Sequence, residues 1–261
     1  MATRSSQRIP SVSHPLRIVP LHVPPQPLAD SAALAVAPIP NLTYRNGPLL
    51  TAVEVFTIFW GAAWETQQAN TAKQLNAFFD FILTSALLDQ LAEYSVPGKS
   101  IGRGSRVGTD TITSPAPSSS VSDAEIQSFL QHELAANGGL PAATPNTLYF
   151  VFLPPGVTVG AFGGKSCRDF CGYHDAIQSQ TFYAVMPFPG CSGCKGGLSQ
   201  LDALTTTVSH ELSEAITDPV PGQGWYDDTN GEIGDICAWQ SKTLGAYKIQ
   251  LEWSNKAGRC V

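Results

Sequence analysis

The stretch Ser209-His210-Glu211-Leu212-Ser213-Glu214 holds the residues best suited to chemistry. His210 and Glu214 are four positions apart, so on an α-helix they project from one face. Imidazole nitrogen and carboxylate oxygen are both zinc ligands. Glu211 is rotated away by one position; in the H-E-x-x-H arrangement the equivalent glutamate is the general base of a metal-dependent hydrolase. Here Glu214 stands where a second histidine is usual. A carboxylate donates more negative charge than an imidazole and makes the metal a weaker acid, so the pattern points to metal binding more firmly than to fast hydrolysis. The chain also contains a decoy, Gln131-His132-Glu133-Leu134, in which Ala136 occupies the i+4 position. Without a second ligand, His132 reads as an ordinary helix-surface residue.

A three-ligand zinc site needs one more group, and such sites often take it from an element downstream of the helix. The segment Asn230-Gly231-Glu232-Ile233-Gly234-Asp235-Ile236-Cys237 supplies two carboxylates, separated by a glycine that lets the backbone turn. Asp235 is the preferred third ligand and Glu232 its rival. His174, in Cys171-Gly172-Tyr173-His174, is a further candidate: a ligand, a partner to a ligand, a transition-state donor, or a satisfied structural histidine on a disulfide-fixed loop. Asp227, Asp228 and Asn230-Gly231 read as turn chemistry, and His14 and His22 need no function.

These side chains require a framework. Val53 to Trp60 is β-branched and aromatic and predicts a buried strand; Leu148–Leu153 and Thr181–Met186 predict two more. Leu75, Phe78, Phe79, Ile82, Leu87, Leu88 and Leu91 recur at helical spacing, predicting one helix from about Thr71 to Tyr94 that Pro97-Gly98 stops. Ile101 to Thr113 reads as an irregular strand or hairpin. Ser122 with Glu125 forms a capping box for a helix that Asn137-Gly138-Gly139 ends. A Gly- and Cys-rich loop then precedes Thr181, and Leu201–Thr217 is the metal-bearing helix, terminated by Asp218-Pro219. The order predicts an α/β (α+β) fold: a zincin-like twisted mixed sheet, a long metal-bearing helix, and a disulfide-stapled irregular C-terminal part. The strand from Tyr183 to Met186 is a candidate for edge pairing with an extended substrate.

The 261 residues suffice for one core plus tails. Residues 1–44, rich in Pro, Ser and Ala, read as a flexible or draped arm, and 45–261 as the catalytic domain. A charged fraction of 14% suits a compact, loop-rich secreted protein. Net charge is −6 and the 15 Lys and Arg residues form no runs, which excludes a phosphate-binding patch and with it nucleic acid. No apolar run approaches the ~20 residues of a membrane helix. Prolines at 10, 15, 20, 24 and 25 interrupt any signal-peptide core, so either the chain is leaderless or the sequence begins after a removed leader. Phosphate-binding glycine loops and a G-x-S-x-G elbow are missing.

Six cysteines fall into local pairs: Cys167 with Cys171, Cys191 with Cys194, and Cys237 with Cys260. The even count reads as three disulfides and an oxidising compartment. The rival reading is a structural zinc on the first four. The sequon Asn41-Leu42-Thr43 agrees with export.

Taken jointly, Ser209 to Pro219, Gly224-Trp225-Tyr226 and Gly231 to Cys237 resemble the Exordium (phosphate-induced protein) family, closest to its microbial zincin-like relatives. Cys171-Gly172-Tyr173-His174 resembles that family's Cys-Gly-Phe-His, Gly190-Cys191-Ser192-Gly193-Cys194 its cysteine loop, and Trp253-Ser254-Asn255 with Cys260 its microbial C-terminus. The resemblance spans roughly residues 45–261 and implies a secreted protein. Plant members are associated with cell walls and growth signalling. The expectation is a zinc-dependent hydrolase, a metallopeptidase acting on a peptide or small molecule, with Zn2+ on His210, Glu214 and Asp235 and Glu211 as base. The alternatives are a non-catalytic signalling or wall-associated protein with a structural metal, or a Lewis-acid enzyme acting on a small molecule.

Overall fold

The computed structural model describes residues 18–21, 39–135 and 140–261. Asn137-Gly138-Gly139, His14, His22 and most of the N-terminal arm lie outside the described residues. In chain order the strands are β1 (Ile18–Pro20), β2 (Thr43–Tyr44), β3 (Glu54–Trp60), β4 (Ser105–Ile112), β5 (Ser120–Ser122), β6 (Thr147–Phe152), β7 (Thr158–Ala161), β8 (Gly164–Lys165), β9 (Phe170–Ile177), β10 (Thr181–Met186), β11 (Trp225–Tyr226), β12 (Ser241–Leu244), β13 (Tyr247–Gln250), β14 (Trp253–Ser254) and β15 (Arg259–Cys260). The α-helices are α1 (Ala69–Ile82), α2 (Ala86–Leu91), α3 (Asp123–Ala135), α4 (Ser192–Lys195) and α5 (Gln200–Thr217).

A mixed six-stranded sheet, ordered β1-β9-β10-β6-β3-β4, forms the centre of an α/β fold. Strands β10, β6, β3 and β4 run parallel, and β9 is antiparallel to both β10 and β1. Both faces are covered, which explains why β6 is an unbroken apolar run rather than an alternating one. Leu148, Phe150 and Phe152 face a core shared with α1, α2 and α5, while Tyr149 and Val151 face α3 and the small sheet β5-β7-β8. The capping box forms as expected: the Ser122 N–H donates to Glu125 Oε2 at 2.7 Å, and the Glu125 N–H to Ser122 Oγ at 3.3 Å.

Several expectations need correction. The single helix expected from Thr71 to Tyr94 is broken, because Ser85 Oγ donates to the Ile82 carbonyl and accepts the Leu87 N–H, ending α1 and capping α2. Their axes bend by 48°. No single helix among the described residues is long and apolar enough to cross a membrane, and the apolar residues of α1 and α2 face the core. Of the two readings of 101–113, irregular strand or hairpin, the first holds: it yields one strand, β4, parallel to β3 with a register shift between Val55 and Phe56. Much of the stretch before Thr181, read as loop, is the eight-residue strand β9. The strand from Tyr183 to Met186 is flanked by β9 and β6, so its backbone groups are used on both sides and it offers no edge to a substrate. The edges of this sheet are β4 and β1. Strand β1 lies beside β9 with Val19 buried, and the Trp239 Nε1–H donates to the Pro20 carbonyl at 2.9 Å.

All six cysteines are in disulfides, but the first two do not close within local pairs: Cys167 joins Cys191, Cys171 joins Cys194, and Cys237 joins Cys260. The two crossed bonds fasten β9 and the turn before it to α4, the lead-in to α5. They also consume the four thiols that a structural zinc would need. Three disulfides fit an oxidising, non-cytosolic compartment.

Candidate metal centre

Helix α5 is buried from Ala203 to Thr217, although many of those residues are polar. It tolerates burial because its hydroxyls bond back along the helix: Ser209 to the Thr206 carbonyl, Ser213 to Ser209 and Thr217 to Ser213, at 2.8–2.9 Å. Apolar Leu204, Val208, Leu212 and Ile216 anchor its other side in the core. Full burial of a leucine such as Leu212 contributes about 1.5–3 kcal/mol. His210 and Glu214 thus sit on a rigid, dry face.

Strand β9 carries His174 to this face, since alternation sends Tyr173 to the opposite side, where its hydroxyl donates to Asp123. Gly172, on the same face as His174, lets α5 approach: a Cβ there would come within 2.8 Å of Thr207 Cγ2 and 3.3 Å of Glu211 Oε1. The segment after α5 closes the third side. A Cβ on Gly234 would lie 2.9 Å from both Glu214 Oε1 and His210 Cγ.

The structure brings all six residues singled out in the sequence into one cluster. His210 Nε2 is 2.9 Å from Glu214 Oε1 and 3.9 Å from Asp235 Oδ1. The first contact is short, yet His210 Nε2 has no hydrogen-bond partner in acceptable geometry among the described residues. Ligand atoms on one tetrahedral zinc lie about 3.3–3.4 Å apart, so His210 Nε2 and Glu214 Oε1 would need to part by only a few tenths of an ångström to share a metal. The other ring nitrogen, Nδ1, is 3.1 Å from Gln250 Oε1, while Gln250 Nε2 donates to the Gly234 carbonyl at 2.9 Å. Such an anchor fixes the tautomer that leaves Nε2 for a metal. Asp235 is placed by its own N–H, donated to Glu214 Oε1 at 3.1 Å, and its Oδ2 accepts the Glu232 N–H at 3.0 Å.

His174 lies beside this group. Its Nδ1 is 3.1 Å from Glu211 Oε2 and 3.6 Å from Glu214 Oε2; its Nε2 is 3.2 Å from the Asp218 carbonyl oxygen and 3.5 Å from Glu232 Oε1. Potential ligand atoms of His210, Glu214 and Asp235 fall within 4.8 Å of one another, and so do those of His174, Glu211 and Glu214. Glu232 belongs to neither group and instead adjoins Asp218 and His174. His132, by contrast, is exposed on α3.

Sequence reasoning missed three members. Asp218 was read as a helix terminator; its carboxylate accepts N–H groups from Gly222 and Gln223 at 2.6 and 3.0 Å, and its carbonyl meets His174. Gln250 and Glu252 alternate with Ile249, Leu251 and Trp253, a pattern that suggests a solvent-facing side, yet both are buried.

The electrostatics are lopsided. Glu211, Glu214, Asp218, Glu232 and Glu252 have no exposed surface and the Asp235 side chain only 8%. Among the described residues no Lys or Arg lies in salt-bridge contact with any of them, although the charge of Lys242 acts on Glu252. Protonating His174 and His210 would still leave carboxylates in excess. Burial raises the pKa of Glu211, and the charge of Glu214 adds to this against the opposing pull of His174 and His210. Burial also pushes Glu232 and Asp235 well above the usual carboxylate range, reinforced in each by Glu214. For His174, burial opposes the charged form, but the hydrogen bond to Glu211 and the charges of Glu211, Glu214 and Asp218 outweigh it and raise the pKa to about 9. A buried, acid-rich pocket with two anchored imidazoles has the donor set of a divalent-cation site.

No family model and no curated protein matches the chain. Two chains of known structure match it. One, in a "Structure of a chaperone-substrate complex", shares 16% identity at a TM-score of 0.33, over 62% of this chain and 25% of that one. The chain therefore spans about a quarter of that protein's length. A likeness so loose supports no inference about fold family or activity.

Proposed function

We propose that the chain is a zinc-dependent hydrolase of zincin-like build, a metallopeptidase in which His210, Glu214 and Asp235 hold the metal. The observation that carries this reading is the buried excess of carboxylates over cationic groups, converging with two tautomer-fixed imidazoles. Bound there, zinc would supply Lewis acidity. Glu211 is the proton acceptor: burial and the charge of Glu214 raise its pKa, the direction that makes a carboxylate a stronger base. His174 is its positioning partner, holding Oε2 at 3.1 Å. Residues Gly172 and Gly234 keep the helix, strand and loop in close contact around these groups. The three disulfides support secretion, and the joint motifs support kinship with microbial Exordium-like proteins.

Metal analysis of the purified protein and of His210→Ala tests the site: the first should contain stoichiometric zinc and the second should lose it. Glu211→Gln should keep the metal on His210, Glu214 and Asp235 and lose turnover on a peptide panel. Zinc absent from the unmutated protein would end the metal reading, and unchanged turnover in Glu211→Gln would end the assignment of the base. A second reading, a structural metal in a non-catalytic secreted protein, is favoured by one observation: nearly every candidate ligand is fully buried. Stoichiometric zinc with no turnover of peptides or small esters would select it.

A further inference from the structure

We propose a second cation position in the same cluster, held by His174, Glu211 and Glu214, with Glu214 bridging to the first. The proposal rests on reading His210, Glu214 and Asp235 as a metal site, and with the second ion bound Glu211 and His174 are its ligands rather than a free base and its positioning partner. Glu214 turns its two oxygens toward different imidazoles: Oε1 lies 2.9 Å from His210 Nε2, and Oε2 lies 3.6 Å from His174 Nδ1. Glu211 Oε2, 3.1 Å from the same Nδ1, completes the second group.

Two further observations point to a ligand there. Glu214 Oε2 and Glu211 Oε1 receive no hydrogen bond from any described residue, although both side chains are fully buried. Unpartnered buried carboxylate oxygens demand a counter-charge. In addition, the two histidines share one arrangement. Each aims a nitrogen at the carboxylates and has the other anchored, His210 Nδ1 on Gln250 and His174 Nε2 on the Asp218 carbonyl with Glu232 Oε1 behind. Metal-ligating histidines are anchored in this way. A single divalent ion offsets two of the six carboxylate charges, whereas two ions offset four. Ions in two-metal sites sit about 3.5–4 Å apart, a span one carboxylate bridges. Imidazole with carboxylates suits zinc or manganese.

The test is a count. Protein stripped by chelator dialysis is titrated with Zn2+ alone by calorimetry, and the desalted product is measured by elemental analysis. Two zinc ions per chain are expected, falling to one in His174→Ala. One zinc per chain, kept by His174→Ala and lost in His210→Ala, would overturn the second position and leave the proposed function standing. No zinc at all would overturn both. Should His174→Ala fail to fold, cobalt substitution of the unmutated protein decides. Exchange coupling between two Co2+ ions supports the proposal, and a single uncoupled ion refutes it.

Discussion

Replacing Glu232 by Gln should stabilise the metal-free protein. Glu232 is fully buried, its oxygens receive no hydrogen bond from a described donor, and its nearest cationic partner is His174 Nε2 at 3.5 Å. Burial raises its pKa well above the usual value, and the charges of Glu214, Asp218 and Asp235 raise it further. A raised folded-state pKa means that the native protein holds a proton the unfolded chain has released. Stability is therefore lost as pH climbs above the unfolded pKa of about 4.3. Gln cannot titrate and escapes that loss. The gain should be near zero in acid and grow by at most about 1.4 kcal/mol per pH unit. Near neutrality it should reach about 1–3 kcal/mol, the cost of leaving a buried polar group unsatisfied. For a chain of this size each kcal/mol moves the melting temperature by about 2–4 °C. Thermal melts in EDTA across pH give the profile, and zinc content measured alongside should not change, because Glu232 lies in neither ligand group. A variant less stable than its parent at neutral pH, or stripped of zinc, would refute the reasoning and make Glu232 rather than Asp235 the ligand.

Three other perturbations follow from the same geometry. In EDTA the unmutated protein should lose stability as pH rises: burial raises Glu211, Glu232 and Asp235, while His174, raised to about 9, contributes fully below about 6.5 and nothing above about 9. Zinc binding should tighten over the same range, because the metal competes with protons; denaturant melts that show stability rising with pH in EDTA would contradict this. Gly234→Ala should weaken zinc binding about 10–100-fold in competition with a chromophoric chelator. Its backbone φ of −80° suits any residue, so the effect comes from the Cβ pressing on Glu214 and His210. Gln250→Leu, which removes the acceptor for His210 Nδ1, should cost a similar factor, whereas Gln250→Glu should keep most of the affinity; equal losses in both would deny Gln250 an orienting role.

Legibility in the sequence varied with how local each determinant is. The apolar runs of β3, β6 and β10 and the helix carrying His210 were readable because period and punctuation are local properties. Strand β9 was hidden by Cys171 and Gly172, residues that suggest a loop but serve here to staple the strand and admit α5. The break at Ser85 turns on one hydroxyl, and a continuous apolar period masks it. Whether β10 is an edge depends on the spatial order of strands, which no window of residues contains. Cys167 and Cys171 looked like partners because they are near in sequence, but the chain returns in α4 to offer each a different one. The ligand candidates on α5 and the Glu232–Asp235 turn were found from side-chain chemistry and spacing. Gln250 and Glu252 were not, since only the docking of α5 against β13 turns a polar strand face inward.

The bonds Cys167–Cys191 and Cys171–Cys194 tie the same two short segments twice, with three residues between the cysteines on one side and two on the other. Once either bond exists, the remaining thiols are confined to a ring of a few residues, and their effective concentration is far above that of any free thiol. A reductant must therefore open both before the first recloses. The pair behaves as a latch, so the strand bearing His174 keeps its register beneath the helix bearing His210 through any single reducing event.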